Sequence, residues 1–240
     1  MENNNITGEF LKPMFGGIIR HYDLINHVFT FGMDSRWRKN LVSRCLETGH
    51  RRFLDLGCGT GGLAVKIAIL STNDSEITAC DFSREMLGIA SKKAGKSGVK
   101  DKISFIHADA SAMPFDDNYF DCIGISFAFR NMIYRNPSAL KNLHEIRRVL
   151  KPQGSLIIAE SGQPEVKIIR KLHHFYIRTF VYLAGSIISG NRQAYKYLSQ
   201  SAINFYFPDK IREIIIKTGF SHFNYYPLFF GAAGIYHIIK

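Results

Sequence analysis

The chain has 240 residues, 46% hydrophobic and 21% charged, with 31 Lys and Arg against 20 Asp and Glu, a formal net charge of +11. That length suits one α/β domain with a sizeable core, and the composition is that of an ordinary globular protein without repeats or low-complexity tracts. The charge attracts anionic partners without choosing between nucleic acid and an anionic membrane surface.

From the N-terminus, Met1 to Gly8 is polar and lacks the basic start and apolar run of a secretory signal, so a cytoplasmic location is expected. Residues 1–50, with Tyr22, Phe29, Phe31 and Trp37, are expected to form a helical cover. Residues 51–161 form the core, where apolar runs at Arg52–Gly57, Glu76–Phe82, Ile103–Asp109, Phe120–Phe129 and Gly154–Ser161 alternate with helical patterns. The helical candidates are Gly61–Leu70, Arg84–Ala94 and Pro137–Leu150. Strands alternating with helices predict βαβ units and a parallel sheet, and runs apolar on both faces predict helices on both sides. In the last helix, Leu140, Leu143, Ile146, Val149 and Leu150 make one apolar stripe, opposite Lys141, Glu145, Arg147 and Arg148. Residues 162–207 read as a helical, basic and aromatic insertion facing substrate or membrane. Residues 208–240 read as a helix and an antiparallel hairpin, Phe223–Phe230 with Ala233–Ile239, completing a mostly parallel seven-stranded sheet in a single domain. Cys45, Cys58, Cys80 and Cys122 have no C-x-x-C spacing and are expected as buried thiols.

The chemistry concentrates at Asp55-Leu56-Gly57-Cys58-Gly59-Thr60-Gly61, a strand running through glycines into a helix. Glycine permits the tight turn and the close approach of a ligand. Gly57, Gly59 and Gly61 give G-x-G-x-G, while Gly57, Gly59 and Gly62 equally give the dinucleotide pattern, so the glycines alone do not choose. Asp55 does, because a carboxylate there would oppose a diphosphate and suits the ammonium or sulfonium of S-adenosylmethionine. Asp81 closes the second strand, where a carboxylate can accept from both ribose hydroxyls, and Asp109 closes the third, within reach of an adenine amino group. Ser126 lies near the end of the fourth strand, on the same carboxyl edge.

The stretch from Asp109 to Asp121, Asp-Ala-Ser-Ala-Met-Pro-Phe-Asp-Asp-Asn-Tyr-Phe-Asp, resembles the ubiquinone/menaquinone biosynthesis C-methyltransferase family. Tyr22-Asp23-Leu24-Ile25-Asn26, Gly32–Arg38, Ser126–Asn131, Arg148–Gly154 and Tyr195–Ser201 carry the same likeness, which covers residues 14 to 240. The resemblance implies the Rossmann-like class I methyltransferase fold and cofactor contacts on Thr60, Asp81, the Asp109-Ala110 pair and Ser126. It implies C-methylation of a prenylated quinol, demethylmenaquinol foremost, with a polyprenyl benzoquinol or another small phenol as the alternative. The chain departs from the family pattern at Thr30, Ser35, Cys58, Gly62, Ser161-Gly162 and Gln200, and the changes at Ser35, Ser161 and Gln200 bear on the acceptor more than on the cofactor.

A quinol carbon becomes nucleophilic when a neighbouring hydroxyl loses its proton, so a base or a held water should reach that hydroxyl. The candidates are Tyr22, Asp23 and His27 in the cover and Arg130-Asn131 after the fourth strand. Arg130 would stabilise the phenolate rather than act as the base, its pKa being too high. No metal is expected, and His173-His174 are expected as solvated histidines. Lys167, Arg170, Lys171 and Arg178, beside Phe175, Tyr176, Phe180 and Tyr182, predict a peripheral contact with an anionic membrane at its inner face. Nucleic acid is set aside because the aromatics fall in core strands and no base-reading motif accompanies them. A homodimer is left open.

Overall fold

Side-chain alternation decides where the core lies. In β1 (Arg52–Leu56), Leu54 and Leu56 turn to one face and Phe53 to the other, and in β5 (Leu150–Ser161), Leu156 and Ile158 oppose Ile157 and Ala159. Such strands need cover on both sides. With β2 (Glu76–Asp81), β3 (Ile103–His107), β4 (Phe120–Ser126), β6 (His222–Leu228) and β7 (Ala233–Ile239) they make one sheet in the order β3-β2-β1-β4-β5-β7-β6. The first five strands are parallel, and β7 runs antiparallel between β5 and β6. This is a computed structural model, and it describes residues 22–47 and 49–240, with only the backbone of Tyr22 and Leu24.

The Phe53 face is covered by α2 (Met33–Leu46), α3 (Gly62–Leu70) and α4 (Arg84–Lys96), whose Leu41, Leu63, Ile67 and Leu87 join Phe53 and Ile157. The Leu54 face meets α1 (Tyr22–Phe29), α5 (Phe129–Ile133) and α6 (Ala139–Val149). The insertion consists of α7 (Lys167–Tyr176), a π-helical turn at Ile177–Val181, α8 (Tyr182–Ser189) and α9 (Arg192–Ile203). Helix α10 (Pro208–Lys217) packs Ile211 and Ile215 into the same core as Leu54. The four cysteines are free and buried.

Several expectations are corrected. The fourth strand stops at Ser126, because Phe127 turns left-handed (φ 58°) and its N–H donates to Ala159 O at 2.8 Å. Helix α5 begins at Phe129, so Arg130 and Asn131 sit on a helix instead of a loop. The third strand ends at His107, and Asp109 stands beyond it in an isolated bridge with Ala112. The sixth strand ends at Leu228, and Phe229 and Phe230 (φ 45° and 56°) form the turn. Leu140 is 60% exposed and leaves its predicted stripe. Arg148, expected on the solvated face, donates to Met113 O, Phe115 O and Asp117, fastening the loop before β4.

The insertion also differs in detail. Arg170 donates to Pro164 O at 3.1 Å and lies over the Phe207 ring, so it is spent inside the chain. Tyr176 donates to Phe29 O, and Phe180 packs edge-on against Phe29, so both hold the cover helix. The outward residues are Ile168, Leu172, Phe175, Leu183 and Ile187, with Lys167, Lys171 and Arg178 beside them. The two adjacent histidines, expected as solvated, are half-buried. His174 Nε2 is 2.8 Å from Gln163 Oε1, and burial pushes the His173 imidazole down to about 4.

Candidate active site

The glycine turn is fixed by β2. Gly57 and Cys58 both donate to Cys80 O, at 2.8 and 3.0 Å. Gly57 has φ 67°, and a Cβ there would lie 2.8 Å from Ala128 Cβ, so only glycine lets the turn pass beneath the β4–α5 junction. At Gly61 (φ 75°) a Cβ would meet Ala90 Cβ at 2.7 Å, which sets how closely α3 approaches α4. Asp81 ties the other side: its Oδ2 accepts from Gly59 N at 2.8 Å and its Oδ1 from Ser83 N at 2.9 Å. Burial raises the Asp81 pKa, opposed by these N–H donors.

A cavity of about 300 Å³ opens at the carboxyl ends of the strands, where the order reverses between β1 and β4. Asp23, Gly57, Gly59, Thr60, Asp81, Asp109, Ala110, Ser126, Arg130 and Asn131 all line it. Asp109 Oδ1 accepts from Ser111 N at 2.8 Å, while Ser126 Oγ is buried without a hydrogen-bond partner among the described residues. Thr60 Oγ donates to Asp23 Oδ1 and accepts from Lys93 Nζ at 3.0 Å, and Lys93 also pairs with Asp23. The candidate base Asp23 is therefore bound to the glycine turn.

Asp55 and Gly61 stand outside the cavity lining, and Asp55 does not reach it because of strand parity. Asp55 shares a face with Phe53 and points under α3, where its Oδ2 accepts from Ala64 N at 2.9 Å. There it satisfies one of the unpaired N–H groups of the helix N-terminus. Burial raises its pKa to about 7 against the opposing pull of Ala64 N–H and Arg38. His27 also stands apart, exposed and 2.9 Å from Asp34. The Tyr22 side chain lies outside the described residues.

On the opposite wall, Arg130 is 9% exposed and Glu160 1% exposed. Glu160 Oε2 accepts from Arg130 N at 2.9 Å, and its Oε1 lies 3.6 Å from Arg130 Nη1. Asn131 Oδ1 accepts from Tyr197 OH at 3.1 Å, which brings α9 onto the site, and Leu198 joins the lining. The sequence alone assigns no site role to Glu160, which keeps the family pattern before Ser161-Gly162, nor to Lys93 or Leu198. Glu160 closes a parallel strand as Asp81 does, so the strand-end rule would have found it. Lys93 meets Asp23 across seventy positions, and no local pattern marks that contact.

The sequence pattern of the ubiE/COQ5 methyltransferase family matches residues 3–240. A demethylmenaquinone methyltransferase of Thermotoga maritima is 41% identical over 231 residues, 96% of each chain. A ubiquinone/menaquinone biosynthesis C-methyltransferase of Geotalea daltonii is 34% identical over 229 residues, 95% of each. Among solved structures, a SAM-dependent methyltransferase from Aquifex aeolicus superposes with a TM-score of 0.56 at 20% identity, covering 79% of this chain and 82% of its own, a likeness of fold. With a match that runs through the glycine turn, the arginine wall and the hairpin alike, the chain belongs to the ubiE/COQ5 methyltransferase family.

Proposed function

We propose that the protein methylates a ring carbon of a prenylated quinol, demethylmenaquinol foremost, with S-adenosylmethionine as donor. The observation that carries this reading is one cavity with two different walls. On one side are the glycine turn, Asp81 and Asp109; on the other is a buried arginine whose Nε–H has no partner among the described residues. The names of the Thermotoga and Geotalea relatives support the quinol, and the second of them makes a polyprenyl benzoquinol the acceptor to compare.

The residues present fit the donor. Asp81 and Asp109 take hydrogen bonds from backbone N–H groups, leaving lone pairs toward the cavity for ribose hydroxyls and the adenine amino group. Ser126, whose Oγ has no hydrogen-bond partner among the described residues, also lines the cavity. Gly57, Gly59, Thr60 and Ala110 would supply close backbone contact. Bound there, S-adenosylmethionine supplies a methyl group on a sulfonium; the protein holds it, excludes water and manages one proton on the acceptor.

That proton leaves a quinol hydroxyl; once the ring carbon is methylated, the hydrogen on that carbon leaves and the oxygen regains a proton, which restores the aromatic ring, so one proton is released in all. Arg130 stabilises the oxygen left behind with a fixed donor in a buried wall, where such a donor counts for more than in water. Asn131, its carbonyl occupied by Tyr197, turns its amide donors to the acceptor or to the water that takes the proton. Asp23 belongs with the donor end, through Thr60 and Lys93.

A prenylated acceptor resides in a bilayer, and among the described residues no helix is long and apolar enough to cross one. The outward stripe Ile168, Leu172, Phe175, Leu183 and Ile187 provides apolar area for a peripheral contact. No Asp or Glu occurs from Val166 to Pro208, while Lys167, Lys171 and Arg178 are exposed, which suits an anionic surface.

The test is direct: purified protein, labelled S-adenosylmethionine, and naphthoquinol and benzoquinol acceptors in detergent, with products identified by mass. Label on a ring carbon of the naphthoquinol is the expected result. No transfer to either quinol sinks the proposal.

A further inference from the structure

We infer that Glu160 and Ser161 are positioning residues that aim Arg130 at the oxygen of the acceptor. The inference rests on the reading of Arg130 as the group facing the phenolate.

Glu160 holds Arg130 at two points. Its Oε2 accepts from the Arg130 backbone N–H at 2.9 Å, fixing the start of α5, and its Oε1 faces the guanidinium. A buried arginine facing a buried carboxylate usually closes to a paired, two-pronged hydrogen bond, which would consume two guanidinium N–H groups. Here Oε1 stays 3.6 Å from Nη1, beyond hydrogen-bond reach. The Ser161 hydroxyl fills the gap, accepting from Arg130 Nη1 and donating to Glu160 Oε1 at 2.8 Å. Ser161 N donates to the same oxygen at 2.8 Å, so Oε1 is held by both the backbone and the hydroxyl of the serine.

The spacing has a consequence for the cavity. One hydroxyl between cation and carboxylate keeps the guanidinium out of a two-pronged bond, and among the described residues the enclosed Arg130 Nε–H has no partner. Arg130, 9% exposed, lines the cavity with its charge held off Glu160. An anionic oxygen in the cavity meets that charge, and a phenolate is such an oxygen. A donor fixed before the charge forms lowers the barrier, because nothing need reorganise when it does. Remove the hydroxyl, and the guanidinium can close on Glu160 and turn from the acceptor. A merely structural ion pair would tighten under the same change.

The experiment compares wild type with Ser161→Ala, Ser161→Thr and Glu160→Gln, by turnover at saturating substrates and by S-adenosylmethionine affinity. Ser161→Ala should lower kcat by at least ~10-fold, a fraction of what losing an oxyanion donor outright costs, with KM and cofactor affinity within about threefold. Ser161→Thr should restore most of it. Glu160→Gln should fall further, and if it does not fold the serine pair still decides. In an Arg130→Lys background Ser161→Ala should cost less than about twofold, since residues acting as one unit are not additive. A second readout needs no turnover: 4-nitrophenol titrated with the protein should bind as its coloured phenolate in preference to the phenol, and Ser161→Ala should erase that preference by ~10-fold. Wild-type kcat together with wild-type phenolate preference in Ser161→Ala overturns the inference, as does a loss that threonine does not rescue. An inactive wild type that keeps a serine-dependent phenolate preference would instead count against the proposed reaction alone.

Discussion

Thr60 Oγ lies 2.7 Å from Asp23 Oδ1, joining the cover helix to the glycine turn across 37 positions of the chain. Lys93 from α4 closes the triangle by binding both. The contact makes Asp23 part of the donor end of the cavity, where it holds the turn against the cover.

The first prediction follows from that triangle. Asp23→Ala should weaken S-adenosylmethionine by ~1–2 kcal/mol, the sum of a hydroxyl bond and a half-exposed ion pair. The turnover number at saturating cofactor should change by less than about threefold, because an ion-paired carboxylate on the donor side is not the proton acceptor. Titration calorimetry beside steady-state kinetics checks both. A collapse of kcat with unchanged affinity would return Asp23 to the role of general base.

Asp81 should act on both affinity and fold. From the sequence it is a strand-end carboxylate that removal should spare structurally, yet it accepts from Gly59 N and Ser83 N. Asp81→Ala should weaken the cofactor by ~1.5–3 kcal/mol and also lower the unfolding free energy by ~1–3 kcal/mol, since buried N–H groups lose their acceptor. Asp81→Asn, which keeps one acceptor, should recover part of the stability and little of the affinity. Chemical denaturation of both variants, with cofactor titrations, separates the two effects. Full affinity in either variant would remove Asp81 from the donor site.

How much of this was legible depends on the range over which each feature is encoded. The glycine turn, the strand-end acids and the two-faced strands are local patterns, and they point to the edge of the sheet where the cavity opens. Asp55 stands apart from the cavity because motif spacing does not carry side-chain parity: the residue is in the first strand, on the face that lies under α3. Glu160 was legible by the rule that found Asp81. Lys93 was not, because its place beside Asp23 arises only when α1 and α4 meet at the turn. The β4 boundary was missed because Phe127 to Phe129 is apolar enough for a strand, while the left-handed backbone at Phe127 (φ 58°) turns the chain into α5. On the insertion the sequence treats the four cations alike, while the bond from Arg170 to Pro164 O, which leaves no trace in composition, takes one of them inside the chain.

Asp55 supplies a prediction in pH. Its folded pKa is raised from 3.8 to about 7 by burial, so between those values the folded state holds a proton that the unfolded state has released. Its contribution to stability is therefore present below pH 4 and lost as the pH rises through about 7. Asp55→Asn, which can still accept from Ala64 N, should flatten the fall of Tm between pH 4 and 7 relative to wild type. Cofactor affinity at pH 8 should stay within about threefold, because residue 55 faces α3. An unchanged Tm profile would put the pKa in its ordinary range, and a large loss of affinity would bring the residue back to the cofactor.

The membrane contact is tested by separating charge from apolar area. Near an anionic surface each Lys or Arg contributes ~1 kcal/mol, so Lys167, Lys171 and Arg178 together could supply up to ~3 kcal/mol. Arg170 is left out because it is bound to Pro164 O. Changing the three cations to Gln should cut co-sedimentation with anionic vesicles and leave the already weaker binding to neutral ones unaltered. Salt should imitate the change, since surface electrostatics are screened over ~10 Å at 0.1 M. Changing Ile168, Leu172 and Phe175 to Ser should weaken both kinds of vesicle, because the lost area is apolar and takes no account of lipid charge. These side chains are 65–68% exposed, so the fold should tolerate the exchange. In both variants turnover of a long-tailed quinol in vesicles should fall, while turnover of a short-tailed quinol in buffer stays near wild type. Equal losses on the two substrates would make α7 a structural lid. Unchanged sedimentation in both variants would remove the membrane from this face, and the prenyl tail would have to reach the cavity from another side.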